Sequence, residues 1–233
     1  MTKQRIKRSF AERAGIMLFI TLIISAVYSL VRIIVPQPLG TTGAAYASLR
    51  SDYVLKFIQC LLGLVVLSVP SMASRKLKFD IPNFIYIMYY IFLYCAIFLG
   101  EVLNFYYVIP HWDIILHFFS GAMLGALGFI LVSQLNDSDM IRVSLSPFFV
   151  ALFAFCFALS CGAVWEIYEF VFDGLLGLNM QKFMTAAGEV LTGHHALHDT
   201  MSDLIVDALA ALLISLIGYS RLKAEKWFHS TKE

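Results

Sequence analysis

The chain has 233 residues, 60% of them hydrophobic and only 14% charged, where ordinary soluble domains carry about 45–50% and about 25%. A soluble globular fold cannot bury that excess, so much of it must face lipid. The formal net charge of +1 gives no support to nucleic-acid binding, because the Lys and Arg residues gather at helix ends instead of forming a basic face.

A basic opening of Lys3, Arg5, Lys7, Arg8 and Arg13 precedes an apolar run over 14–35, long enough to cross a bilayer. Ala45-Tyr46-Ala47 has the small-x-small spacing of a signal-peptide cleavage site. The run before it exceeds the roughly 7–15 apolar residues of a signal peptide and ends well upstream, which favours a retained first helix. Pro36, Pro38 and Gly40 then break the chain. Further spans are predicted over 53–69, 81–105, 113–135, 145–171 and 202–219, with Asn136, Asp137, Ser138 and Asp139 marking the turn after the fourth. The expected fold is therefore all-α: a polytopic membrane protein of about six transmembrane helices in one bundle, residues 1–233 forming a single domain. Cys60, Cys95, Cys156 and Cys161 all lie in apolar runs, the placement of small buried side chains and not of a disulfide framework.

Six crossings with the N-terminus inside would put thirteen Lys and Arg on cytoplasmic segments, leaving Arg32, Arg50, Lys56 and Lys182 elsewhere. Short Lys/Arg-rich loops stay cytoplasmic, so both termini are expected inside. The longer loops over 36–52 and 173–200 then face outward.

Eight of the sixteen acidic residues lie at the expected outer ends of the third to sixth spans: Glu101, Asp113, Glu166, Glu169, Asp173, Asp199, Asp203 and Asp207. A charge at mid-bilayer costs at least about 2.5–3.5 kcal/mol, so such groups normally face a protein interior or a watery cavity. Their spacing sorts them into stripes. Asp113 and His117 are four apart, Glu166, Glu169 and Asp173 three and four apart, and Asp199, Asp203 and Asp207 four and four apart, each set on one helix face. Three stripes at one depth predict one shared site. Gly121 and Gly125 continue the first stripe, and Ala208, Ala210 and Ala211 follow Asp207, all permitting close helix approach.

So many carboxylates in a low dielectric must share protons, pair with cations or coordinate a metal. Basic neighbours are scarce in the sequence, whereas His117 and the group His194, His195 and His198 offer imidazoles suited to Zn, Mn or Fe beside carboxylate oxygens. A divalent cation (Zn, Mn, Fe or Mg) is the preferred counter-charge, with Asp113, His117, Glu166, Glu169, Asp203 and Asp207 as the expected ligands. The blander reading is protonated carboxyls hydrogen-bonded between helices. Neither an HExxH motif nor paired Glu-x-x-His motifs are present. Asp173 and Asp199 also read as loop or cap residues, with Asp199-Thr200 as a helix N-cap. His194 and His195, beside Gly193, read as loop residues. Trp112, Tyr106, Tyr107 and Trp165 read as interfacial anchors, and Glu101 could equally snorkel to water.

Asp113-x-x-x-His117 with Phe118 and Gly121, Trp165-Glu166-Ile-Tyr-Glu169, and Asp199-Thr200-x-x-Asp203-x-x-x-Asp207-Ala-x-Ala together resemble the YjdF-like predicted inner-membrane proteins of bacteria, a family without an assigned function. The resemblance covers roughly residues 80–220 and implies a multi-pass protein of the bacterial cytoplasmic membrane. A looser likeness reaches the VanZ-like proteins, which place an Asp and His at the head of one helix, an acidic residue late in the next and an Asp opening the last. That likeness implies cell-envelope work, although this sequence carries extra carboxylates and no Arg at the later block.

Three functions compete. The first is a metal-dependent enzyme hydrolysing an envelope lipid or lipid-linked substrate at the outer leaflet, with Glu166, Glu169 and Asp203 as catalytic candidates and Arg32, Arg50 and Lys56 as cations on the same side for a phosphate. The second is a cation- or proton-coupled transporter, which predicts polar residues continuing through the inner half; there the fourth and sixth spans offer few, Ser133 and Ser215 among them. The third is a structural or accessory protein whose polar cluster assembles helices, thin motivation when interhelical polar contacts average about 0.6 kcal/mol. The one-sided mixture of acids and His favours the enzyme. Membrane lipids are the expected surroundings and nucleic acid is not an expected partner.

Overall fold

The computed structural model describes residues 3–35, 44–77, 80–136, 145–185 and 189–230. The breaks expected at Pro36, Pro38 and Gly40 and at Asp137, Ser138 and Asp139 fall outside the described residues, as does the side chain of Arg50. Among those residues the regular elements are helical: α1 (Lys3–Ile34), α2 (Ala44–Val66), α3 (Val69–Leu77), α4 (Asn83–Leu93), α5 (Phe105–Val108), α6 (Trp112–Asn136), α7 (Pro147–Leu176) and α8 (His198–Ser230). An isolated antiparallel bridge joins Met184 and Val190 in the loop before α8. A helix suits a lipid-facing chain because it satisfies its own backbone where no water can, the other solution being a closed barrel of strands.

Six stretches are long and apolar enough to cross a membrane: Phe10–Ile34, Ser51–Lys76, Asn83–Val102, Trp112–Leu135, Pro147–Leu176 and His198–Ala224. The number matches the sequence expectation, and the differences lie at the ends. The second span is longer than expected because α2 runs almost directly into α3, with Pro70 in the first turn of α3, where its missing N–H is not needed. The third span widens after α4 into a π-helical stretch, Tyr94–Val102, that stops at Asn104 in the left-handed region (φ 61°). The fifth is capped by Ser146, whose hydroxyl accepts from the Phe149 N–H at 3.2 Å with Pro147 next in line. It runs past residue 171 to Leu176 and stops at Gly177, which takes a positive φ of 65° that favours glycine.

The chain packs as two compact units, Met1–Trp112 and Asp113–Glu233. In the first, Leu18, Leu22, Ala26, Cys60, Leu93 and Ile97 from α1, α2, α4 and the π stretch form the buried core. Trp112 turns back to donate to the Cys95 carbonyl at 3.3 Å, an anchoring role within the protein. In the second, α6, α7 and α8 meet through small residues. A Cβ at Gly128 would lie 2.9 Å from the Ala154 backbone, and one at Gly121 would lie 3.0 Å from the Asp207 carbonyl oxygen. Ala154, Ala158, Ala210 and Ala211 are buried with them. Between lipid-embedded helices such close backbone approach replaces the missing hydrophobic drive, and it brings the acidic stripes of α6, α7 and α8 face to face.

Candidate functional site

His117 of α6 is the centre of the second unit, 6% exposed. Its Nδ1 lies 3.3 Å from Asp207 Oδ2. On the other side of the ring, Nε2 faces Asp113 Oδ1 at 3.8 Å, Glu166 Oε1 at 3.9 Å and Asp203 Oδ2 at 4.0 Å. Helical spacing explains the convergence: Asp113 is one turn before His117 on α6, Asp203 and Asp207 are one turn apart on α8, and Glu166 comes from α7. Asp203 and Asp207 are each 2% exposed and Glu166 is 4% exposed.

The glycines make the arrangement possible. A Cβ at Gly162 on α7 would fall 2.1 Å from Asp207 Oδ2, so Asp207 occupies space that only glycine leaves, pressed between Gly121 and Gly162. Held there, its carboxylate lies against Nδ1; with the ring proton on Nδ1, Nε2 would present its lone pair to the other three acids. This carboxylate–imidazole pairing is how proteins orient a metal-ligating histidine.

The Nε2-to-carboxylate distances are too long for hydrogen bonds. They are instead close to the roughly 3–4 Å that separates two ligand atoms each about 2.0–2.2 Å from one ion. Asp113, His117 and Asp203 each present one such atom within 4.8 Å of the others. Both oxygens of Glu166, Asp203 Oδ2 and Asp207 Oδ1 are buried without a hydrogen-bond partner. Leaving buried carboxyl oxygens unpaired is expensive, and the donor set of one imidazole with carboxylates suits a transition-metal dication.

The remaining candidates separate into different roles. Glu169 is buried beside Glu166, and its Oε1 accepts from the Trp165 indole N–H at 2.9 Å. Trp165, expected as an interfacial anchor, thus also fixes a carboxylate. Asp173 is inside α7 and only 6% exposed, so it is not a solvated loop residue. It accepts from the backbone N–H groups of Met180 and Gln181 at 2.8 and 3.0 Å, which folds the following loop back onto the helix. Asp199 is not the N-cap expected from the sequence, because α8 already begins at His198. Its Oδ1 accepts from Lys182 Nζ at 2.9 Å. His194 and His195 form an exposed 3₁₀ turn, and His198 is exposed and pairs with Ser202. Glu101 belongs to the π stretch of the first unit.

Lys182 is the member that sequence reasoning passed over as a loop cation. Its ammonium is shared between Asp113 and Asp199, and its backbone is in the left-handed region (φ 48°). Burial works against its charge, but the flanking Asp113 and Asp199 carboxylates outweigh that and hold its pKa above the ordinary lysine range. Next to it, Gln181 donates to the Thr200 hydroxyl at 2.8 Å. This pair lies beside Glu166, though not aligned to satisfy its oxygens.

The family described as "Predicted membrane protein (DUF2238)" matches residues 42–224, a stretch that contains every residue of this cluster. The chain belongs to that family. An uncharacterized protein of Thermotoga maritima is 33% identical over 132 residues, which cover 56% of this chain and 58% of the relative. The chain thus matches a little over half of that relative's length. No solved structure matches the chain. The likeness to VanZ-like proteins finds no support in either match.

Proposed function

We propose that the second unit holds a divalent cation through Asp113, His117 and Asp203, and that the protein is a hydrolase acting on an amphiphilic cell-envelope substrate. The observation that carries this reading is the set of buried carboxylate oxygens without partners around His117 Nε2. In the same reading the chain is a YjdF-like protein of the bacterial cytoplasmic membrane with both termini inside, the orientation favoured by its thirteen-to-four Lys/Arg distribution.

The donor set fits Zn, Mn or Fe better than Mg, which prefers oxygen and bound water. A cation there would polarise a scissile carbonyl or phosphoryl group and acidify a bound water. Asp207 keeps His117 in the tautomer that presents Nε2. Glu166, whose two oxygens have no hydrogen-bond partner, is the residue that would take a proton from that water as general base and pass it to the leaving group. Glu169, oriented by Trp165, supplies the neighbouring carboxylate. Deep burial of the cluster excludes bulk water and strengthens each of these interactions.

The test is product release from a panel of acyl- and phospho-amphiphiles in mixed micelles, with Zn, Mn or Mg added back after chelation. Cation-dependent release that falls by roughly 10²–10⁴ in Glu166→Gln is the expected outcome. No release from any class, or cation flux across liposomes that is lost in His117→Ala, would replace hydrolysis with transport.

A further inference from the structure

Beside the cluster lies a cavity of about 730 Å³, walled by Phe170, Leu175, Phe183 and Leu197, with Gln181 and Thr200 among its few polar side chains. Its size is that of a small-molecule site, and such sites are mostly apolar with a few convergent polar groups. The apolar wall faces outward: Phe170 is 68% exposed, Leu175 73% and Leu197 58%. Phe170 and Leu175 belong to the last turns of the fifth span and Leu197 directly precedes the sixth, so the wall stands at the ends of both spans, where apolar side chains border the bilayer. Asp173 also lines the cavity, but both its oxygens are committed to the Met180 and Gln181 amides. The polar groups left at the cavity are therefore Gln181 and Thr200, which lie beside Glu166.

We propose that this cavity is the acyl-chain subsite of the protein: it takes the alkyl chain of a single amphiphile whose polar head lies at Gln181 and Thr200, against the cation cluster. Water gains nothing in an apolar space open to lipid, whereas an alkyl chain fills it without losing a hydrogen bond. Only a molecule with an apolar tail and a polar end matches both surfaces at once. Calling that amphiphile the substrate rests on the hydrolytic reading above; its binding does not.

Gly174 lines the cavity, and a Cβ there meets nothing within 4 Å, so Gly174→Trp and the smaller Gly174→Leu place bulk in open space. The probe is a dodecyl phosphate with a diazirine near its methyl end, photolysed with the protein in phosphatidylcholine nanodiscs. Expected is labelling of Leu175, Phe183 and Leu197 about tenfold above the exposed α8 side chains Ile205, Leu209 and Leu216, falling to their level in both Gly174 variants. Equal labelling of the two sets, or labelling unchanged in both variants, overturns the proposal. So does a cavity covered by a second copy of the chain, read as disulfide-linked dimers of Leu175→Cys. In Asp203→Asn, which removes a cation ligand, selective labelling persists. Labelling without bound cation in the wild type would thus sink the hydrolytic reading and leave the chain subsite standing.

Discussion

The Gly162→Ala substitution asks whether Asp207 and His117 work as a unit. The added methyl would lie 2.1 Å from Asp207 Oδ2 and 2.9 Å from its Cγ, so the carboxylate must turn away. Asp207 is 2% exposed, which leaves little room to turn without giving up the 3.3 Å contact with Nδ1. Overpacking costs about 1–3 kcal/mol and loss of a charge-assisted hydrogen bond about 1.5–3 kcal/mol. Alanine's helix preference over glycine returns up to about 1 kcal/mol. The expected net destabilisation is about 2–5 kcal/mol, measured by reversible unfolding in detergent or lipid discs. The lost outer partner should also weaken cation binding by roughly 10–100-fold, read by titration with Mn or Zn. Gly162→Ala with unchanged stability and unchanged affinity would refute the claim that Asp207 is wedged against α7 to orient His117.

Lys182→Met removes the ammonium that now shares Asp113 with the cation site. Divalent affinity should rise by roughly fivefold, the scale of a partly exposed ion pair of about 1 kcal/mol, with the gain shrinking at high salt. Because Lys182 is held above the ordinary lysine range, the unfolded chain loses this proton first as pH rises. The pair's contribution is therefore constant through neutral pH and disappears only in strong alkali. Asp173→Asn loses one of the two acceptors for the Met180 and Gln181 amides. Hydrogen exchange at those amides should quicken by roughly 5–30-fold, for about 1–2 kcal/mol of local stability, while α6 keeps its protection.

Hydrophobic runs made the six spans legible in the sequence, because an unbroken apolar run of about 20 residues crosses a bilayer as a helix, whereas a spanning strand needs only about 9–11. The acidic stripes were legible from helix geometry: four-residue spacing on α6 and α8 and three- and four-residue spacing on α7 leave one face for each set. Span ends were less legible, because buried Asp173 reads as a terminus when charge alone is weighed. The Trp165 bond to Glu169 was open to discovery, since an i,i+4 donor and acceptor on one helix commonly meet. Lys182 was not. It lies 69 residues from Asp113, in a loop whose path depends on Asp173 holding two amides and on a left-handed backbone that no local pattern announces. Gly162 was visible as a small residue, but that its missing side chain makes room for a carboxylate is a fact of three helices together.

Cation stoichiometry of the purified protein tests the central claim most directly. After chelation and reloading with Zn or Mn, the wild type should retain about one ion per chain by elemental analysis, and His117→Ala and Asp203→Asn should retain none at the same free concentration. A wild-type protein that binds no divalent ion, or variants that bind as much as the wild type, would contradict it.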